Sequence, residues 1–274
     1  MLKLKHKLEY GIMIGVDYLL RVMNESDYLS DTLYDHCTAT MCISEDPRNK
    51  EPSVQKALDW ISQFTYSLRG SFFVMDADNQ SLTKVNAITG MANSATRLDW
   101  ALRFGKTILE RQDEKGIISY DQYDSVPVDF NHMGQSAKFF TRLYELTNDD
   151  KWLDAAKRVR NWILEHAFAG DHWDLIGLTY LRQHDWAEGS DEWMEKALKS
   201  HDNDLDVLAN YGVIGDLWED KIKTLCYERL NQQIAPSDPW RCGAFVDSGG
   251  IRIDWAERYI SSFKRILTSV AKRV

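Results

Sequence analysis

The chain has 274 residues, of which 44% are hydrophobic and 12% aromatic, enough to bury a substantial core. Its net charge of −9 argues against binding to nucleic acid, because a phosphate backbone is held by clustered Lys and Arg. The one basic cluster, formed by Lys3, Lys5 and Lys7, is short.

The N-terminal segment begins like a secretory signal, with lysines followed by an apolar run from Gly11 to Val16. Glu9 and Asp17 bracket this run, which is too short for the core of a signal peptide or for a bilayer span. We therefore predict a first buried helix. No later stretch reaches 18 apolar residues, so we expect a cytoplasmic protein without a membrane segment.

Apolar residues recur at helical spacing along most of the chain. Residues 133–146 and 150–166 predict an antiparallel pair of helices, because the sequence from Thr147 to Asp150 is typical of a tight turn with an N-cap. Pro and Gly are sparse, and no linker or low-complexity tract divides the chain. The sequence thus predicts a single domain spanning residues 1–274.

A loop pattern repeats along the chain. A helix is followed by Gly, apolar or aromatic residues and Asp, at Gly70, Gly116, Gly170 and Gly243. The motif of residues 97–101, Arg-Leu-Asp-Trp-Ala, recurs as Arg-Ile-Asp-Trp-Ala at 252–256. The first three glycines lie about 50 residues apart, the length that two helices and their loops require.

These repeats predict an all-α fold of about five to six helical hairpins. A single hairpin cannot bury its apolar face alone, so neighbouring hairpins must stack. No polar capping repeat is visible, which favours closure into an (α/α) toroid over an open solenoid of the tetratricopeptide type. The number of hairpins leaves open whether the ring is complete.

Residues 131–156 resemble a known structural unit. The characteristic part is Leu143-Tyr144-Glu145 with Thr147 and Asp149, followed by Trp152-Leu153-Asp154-Ala155-Ala156. It is similar to the inner helix, turn and outer helix of six-hairpin glycosidase-like toroids, which include unsaturated glucuronyl hydrolases, sugar 2-epimerases and polysaccharide lyases. The resemblance implies a toroid fold and a carbohydrate substrate. It matches no family's catalytic motif.

In such a ring, the loops that follow the outer helices surround one mouth of the barrel. Facing carboxylates perform general acid/base chemistry on sugars, and aromatic rings stack on them. The candidate catalytic residues are Asp76, Asp121, Asp124 and His132. The candidate substrate-binding residues are Asp78, Tyr123, Asp171, His172, Trp173, Asp174, Trp240, Arg241 and Asp247.

Each candidate also has a purely structural interpretation. Asp is common in turns and at helix N-caps, and a His at a helix start can serve the same purpose. Arg97 and Arg252 are expected to pair with the neighbouring Asp99 and Asp254 or with helix faces. The tryptophans at equivalent helical positions, Trp60, Trp100, Trp162 and Trp255, are typical of core packing.

The sequence predicts neither a metal nor a cofactor. The four cysteines have no metal-type spacing and are expected to be free, mostly buried thiols. A P-loop, a dinucleotide-binding fingerprint and an HExxH motif are all missing. The expected partner is a small molecule or an oligosaccharide, with no nucleic acid and no membrane. The oligomeric state stays open.

Three functions remain possible at this point. The first is a carbohydrate-active hydrolase, lyase or epimerase. The second is a terpene-cyclase-like enzyme of secondary metabolism, for which a deep apolar cavity is required. The third is a non-catalytic binding or scaffold protein, which loop acids pointing away from one another would favour.

Overall fold

A computed structural model describes residues 2–123, 131–166, 177–178, 180–181, 184, 189, 191–200, 205, 208–209, 219–238, 240–248 and 250–271. These residues contain two antiparallel β-hairpins, β1 (Thr65–Leu68) with β2 (Ser71–Val74) and β3 (Val246–Asp247) with β4 (Gly250–Ile251). The helices are α1 (Leu2–Glu25), α2 (Leu33–Ser44), α3 (Pro52–Ser62), α4 (Thr83–Ser94), α5 (Leu98–Glu110), α6 (Asn131–Thr147), α7 (Asp150–His166), α8 (Asp191–Ser200), α9 (Glu219–Asn231) and α10 (Ile253–Ala271). The α6–α7 pair confirms the predicted hairpin.

The chain divides into two compact units. The first unit contains Met1–Trp60 and Asp202–Val274, and the second contains Ile61–His201. The single domain over residues 1–274 stays a prediction. None of the helices in the described part of the chain is long and apolar enough to cross a membrane.

In the second unit, α4 and α6 are inner helices. Eleven of the twelve residues of α4 are buried, and α6 is buried throughout His132–Thr141. Their partners α5 and α7 bury one face each, as amphipathic helices do. This difference explains why the inner helices lack a clear polar stripe in the sequence.

Glycines allow the helices of the second unit to approach closely. A Cβ atom on Gly90 of α4 would lie 2.1 Å from the Phe139 ring of α6. A Cβ atom on Gly177 would lie 2.6 Å from the carbonyl oxygen of Gly134 on α6. A larger side chain at Gly90 or Gly177 would force these elements apart.

The inner helices of the second unit begin at the same end. The amide of Thr83 in α4 donates to the Tyr120 carbonyl at 2.8 Å. Nε2 of His132 in α6 lies 2.9 Å from the Ile118 carbonyl oxygen. Both helix N-termini therefore meet the same loop, and their partial positive charges lie at that end.

In the first unit, the first and last helices of the chain are neighbours. A Cβ atom on Gly15 would touch Ile260, and one on Gly11 would lie near Phe263, so α1 and α10 run antiparallel. Helix α10 also packs against α2. The predicted first helix is thus confirmed, although it buries only one face and exposes Tyr10 and Met13 on the other.

Two of the repeated glycine loops, one in each unit, share a local structure. Gly116 and Gly243 each have a φ of 92°. A Cβ atom on Gly116 would lie 2.2 Å from the Arg158 carbonyl oxygen of α7, and one on Gly243 would lie 1.9 Å from the Ile14 carbonyl oxygen of α1. Glycine is therefore required by both φ and space. Gly170 lies outside the described residues.

Two glutamines complete these loops, and no local pattern in the sequence marks them. The side chain of Gln112 donates to the Ala155 carbonyl at 3.0 Å, and that of Gln233 donates to the Gly11 carbonyl at 2.8 Å. Each acceptor lies three residues before the carbonyl that the glycine contacts. Gln112 lies six residues before its bridge partner Ile118, whereas Gln233 lies twelve residues before Phe245, and this difference in spacing hides the repeat in the sequence.

Candidate functional site

The loops at the N-termini of α4 and α6 are joined into one structure, which we call the mouth cluster (residues 76–83, 118–123 and 131–132). Gln122 joins its two loops, because its side chain accepts from the Ser81 amide at 2.6 Å and donates to the Asn79 carbonyl at 2.8 Å. The Thr83 hydroxyl donates to the Ser119 carbonyl at 2.5 Å. Residues 76–83 and 118–123 are therefore held against each other.

Arg111, directly after α5, holds residues 81 and 83 of the mouth cluster in place. Its guanidinium donates to the Ser81 carbonyl and the Thr83 hydroxyl, each at 2.9 Å, and to the Ser81 hydroxyl at 3.0 Å. Asn86 of α4 accepts from the Val74 amide at 2.9 Å and donates to the same Ser81 hydroxyl. Such a buried polar network, with its donors matched to acceptors, fixes the loop conformation.

Asp76 and Asp78 lie in a turn of the mouth cluster. One oxygen of the half-buried Asp76 carboxylate accepts from the amides of Asp78 and Gln80, at 3.0 and 2.9 Å. This is the hydrogen-bonding pattern by which Asp stabilises a turn. The Asp78 side chain is exposed to solvent.

Asp121 differs from the other described loop acids, Asp76, Asp78 and Asp247, because it is buried. The residue is 2% exposed, and its Oδ1 accepts from the Tyr123 amide at 2.8 Å. Tyr123 itself is 69% exposed. The mouth cluster thus places a buried carboxylate two residues from an aromatic side chain that projects into solvent, beside the N-termini of two inner helices.

His132 is buried in the first turn of α6. Nε2 donates to the Ile118 carbonyl, since a carbonyl oxygen can only accept. The ring packs edge-on against Tyr120 at 5.5 Å between centroids. Both contacts fix the imidazole relative to the loop that carries Asp121.

The remaining described candidates belong to the first unit. Trp240 is 71% exposed, and the neighbouring Arg241 forms an ion pair with Asp238 in which Nη2 and Oδ2 are 2.7 Å apart. Asp247 forms an ion pair with Arg252, in which Oδ2 and Nη1 are 2.8 Å apart. The partner that the sequence predicts for Arg252 is the neighbouring Asp254. The other candidates lie outside the described residues: Asp124, Asp171, His172, Trp173 and Asp174.

The repeated tryptophans take part in packing where their side chains are described. Trp162 is 6% exposed, the Trp60 ring lies 4.0 Å from the His36 ring, and Trp100 contacts Phe72 edge-on. The guanidinium of Arg97 lies over the Trp100 ring. The Trp255 side chain is outside the described residues.

Metal-ligating side chains do not cluster in the described part of the chain, where no three His, Cys, Asp or Glu residues are suitably grouped. All four cysteines are free thiols, and three of them are buried. Burial raises the pKa of the Cys226 thiol to about 12. A thiol with so high a pKa is a poor nucleophile at neutral pH.

Buried inner helices paired with one-faced outer helices are typical of (α/α) toroids, and solved structures confirm this fold class. The chain is similar to an alpha-amylase from Clostridium perfringens, with 13% identity, a TM-score of 0.62 and coverage of 93% of this chain and 97% of that one. It is also similar to a GH76 alpha-mannanase from Bacteroides thetaiotaomicron, with 12% identity, a TM-score of 0.58 and coverage of 96% and 97%.

A third similar structure is the cellobiose 2-epimerase from Spirochaeta thermophila, with 12% identity, a TM-score of 0.60 and coverage of 88% of this chain and 86% of that one. All three share the (α/α) toroid fold, which is therefore the fold class of this chain. No protein-family model matches the sequence, and no curated protein matches it either. At these identities the likeness shows the fold alone.

Proposed function

We propose that the chain is a carbohydrate-active enzyme in which Asp121 acts as a general acid or base on an oligosaccharide or a small sugar. The observation that carries this proposal is the burial of the Asp121 carboxylate in the mouth cluster, next to the exposed Tyr123. The three similar structures, an amylase, a mannanase and an epimerase by name, all act on carbohydrates and support the substrate class.

Asp121 fits proton transfer better than Asp76 does. A buried carboxylate is shielded from water, so its charge and its proton matter more to a bound substrate than those of an exposed group. Asp76 uses one oxygen to hold its own turn, which suits a supporting role. Asp124 is proposed as the second catalytic carboxylate. His132 assists, either by fixing the loop that carries Asp121 or by exchanging a proton through Nδ1.

Tyr123 supplies a surface for a sugar ring. An exposed aromatic side chain offers an apolar face for stacking and a hydroxyl for hydrogen bonding. Its amide also holds the Asp121 carboxylate, so a sugar stacked on Tyr123 lies within one loop of the proposed acid or base. The exposed Asp78 is placed to accept hydrogen bonds from sugar hydroxyls.

The composition of the inner helices favours a sugar over a cyclisable hydrocarbon. Helix α4 buries Thr89 and Asn93, and α6 buries Gln135 and Lys138. A terpene cyclase requires an apolar lining, because its substrate and its cationic intermediates offer no hydrogen bonds. Polar groups on inner helices are the kind that sugar hydroxyls can use.

The proposal is tested with Asp121→Asn, which removes the ionisable group and keeps an oxygen to accept from the Tyr123 amide. Turnover would be measured on malto-oligosaccharides, α-manno-oligosaccharides and cellobiose. General acid/base catalysis supplies about 10²–10⁴-fold, so kcat should fall at least about 100-fold on whichever substrate the wild type converts.

Asp113→Asn is the matched control. Asp113 lies in the same loop and accepts from the amides of Lys115 and Ile117, but its side chain is exposed. This variant should keep its activity. Full activity in Asp121→Asn would remove Asp121 from the mechanism, and a wild type that binds these sugars without converting any would favour the non-catalytic alternative.

A further inference from the structure

Helix α1 carries an exposed row of side chains, which we call the α1 stripe (His6, Tyr10, Met13 and Asp17). These residues follow one another at steps of four, three and four, so they lie on one side of the helix. Tyr10 is 45% exposed and Met13 is 46% exposed. The opposite side of α1 packs against α9 and α10. Two large apolar side chains, one helical turn apart, thus face solvent.

The two ends of the α1 stripe carry opposite charges. Lys3 and Lys7 lie at its N-terminal end, and both are exposed. At the other end, the carboxylate of Asp17 pairs with Arg48, which also pairs with Asp46 at 2.9 Å. Two carboxylates around one guanidinium leave a net negative charge. The stripe is therefore basic at one end, apolar in the middle and acidic at the other end.

The neighbouring charges on α1 do not cancel this polarity. Lys5 and Glu9 form an ion pair with each other, in which Nζ and Oε1 are 3.9 Å apart. Arg21 lies beyond the acidic end, and its guanidinium donates to the Cys242 carbonyl at 2.8 Å. Lys3 and Lys7 thus remain the basic groups that a facing surface would meet.

A row with this order of charges is complementary to itself when it is turned end for end. In an antiparallel pair of α1 helices related by a two-fold axis, Tyr10 can lie opposite Met13 of the second copy. The same register places His6 opposite Asp17 of the second copy. That carboxylate then enters the space between four side chains, as a knob enters a hole in a coiled coil. The four are Lys3, His6, Lys7 and Tyr10.

We propose that a second copy of this chain docks on the α1 stripe, with the two α1 helices antiparallel. The two-fold arrangement matches opposite charges at both ends and buries Tyr10 and Met13 of both copies in the middle. Tyr and Met are enriched in protein interfaces. A two-fold contact also closes on itself, so assembly stops at a dimer. One helix face per copy is a small interface, so the dimer is weak.

The dimer is tested by sedimentation equilibrium of the full chain from about 10 µM to about 1 mM protein. The mass should rise from 31.8 kDa toward twice that value and no further. The double variant Tyr10→Ser/Met13→Ser should dimerise at least about tenfold more weakly, because it loses the apolar centre of the contact. Tyr66→Ser is the matched control, since this tyrosine is 49% exposed on β1, and it should dimerise like the wild type.

A charge exchange tests the antiparallel register. Lys3→Glu/Lys7→Glu and Asp17→Lys each place like charges opposite each other at both ends of the pair, so each alone should dimerise at least about tenfold more weakly. In an equimolar mixture, one chain of each kind faces the other with opposite charges at both ends. The mixture should therefore form dimers within about threefold of the wild-type affinity. This recovery also shows that both variants fold.

Four results would overturn the inference: a wild type that stays monomeric at the highest concentration, growth beyond a dimer, unchanged dimerisation of Tyr10→Ser/Met13→Ser, or a mixture of the two charge variants that dimerises no better than either alone. The assay measures mass and needs no substrate. Its outcome is therefore independent of whether the proposed function holds.

Discussion

His36 should make the protein less stable in mild acid. It lies in α2 and is completely buried. Its Nδ1 accepts from the Leu29 amide at 3.0 Å, and its Nε2 donates to the Ala57 carbonyl at 3.1 Å. A second proton would place an N–H at Nδ1 against the N–H of Leu29, so the site is built for the neutral ring.

Burial lowers the pKa of His36 from 6.5 to about 4, and the hydrogen bond to Ala57 opposes this only in part. Because the folded pKa lies below the unfolded one, the unfolded chain takes up the proton first as the pH falls. The stabilisation is therefore complete above pH 6.5 and is lost between pH 6.5 and about 4. At 1.36 kcal/mol per pKa unit, the loss amounts to about 3 kcal/mol.

The assay is urea unfolding at pH 7.5 and pH 4.5, in the wild type and in His36→Gln, whose amide can both donate and accept. The many carboxylates contribute to both proteins, so the difference between them isolates His36. The wild type should lose about 2.5 kcal/mol more than the variant over this interval. His6→Gln, at an exposed position, should behave like the wild type. An equal pH dependence in wild type and His36→Gln would refute the reasoning.

Two further predictions concern the glycine loops and the proposed sugar-binding role of Tyr123. Gly116→Ala should lower the free energy of unfolding by about 2–4 kcal/mol, because its Cβ would strike the Arg158 carbonyl and its φ is positive. Gly189 has a φ of 80° but open space around it, so Gly189→Ala should lower the free energy of unfolding by only about 1 kcal/mol. Equal costs in urea unfolding would show that space is not limiting. Tyr123→Ala should raise KM about five- to tenfold with little change in kcat. Tyr66→Ala, at another exposed tyrosine, should leave KM unchanged. An unchanged KM in Tyr123→Ala would show that Tyr123 does not bind the sugar.

The fold was predictable where its determinants are local. The turn between α6 and α7 was read from Thr147 to Asp150, and the structure begins α7 at Asp150. Helical periodicity and N-capping depend on neighbours within a few residues, which is why the sequence shows them directly. The repeated glycines were also visible, since a residue required by both φ and space, as at Gly116 and Gly243, leaves a mark in the sequence.

Other elements depended on contacts that the sequence does not display. The expected loop after α3 is a β-hairpin, with Arg69 and Gly70 both at positive φ in its turn. Gln233 and Gly11 are 222 residues apart, so their hydrogen bond could not be read from any local pattern. The pairing of α1 with α10 is of the same kind.

The sequence by itself determined an all-α chain of repeated hairpins and a set of loop acids. Asp76 and Asp121 looked equivalent within that set, because both follow a glycine and apolar residues. Only the tertiary structure distinguished them, by burying Asp121 beside two helix N-termini and leaving Asp76 half-buried in a turn that its carboxylate stabilises. Burial is the sum of contacts from elements distant in sequence, and so it cannot be read from a local pattern.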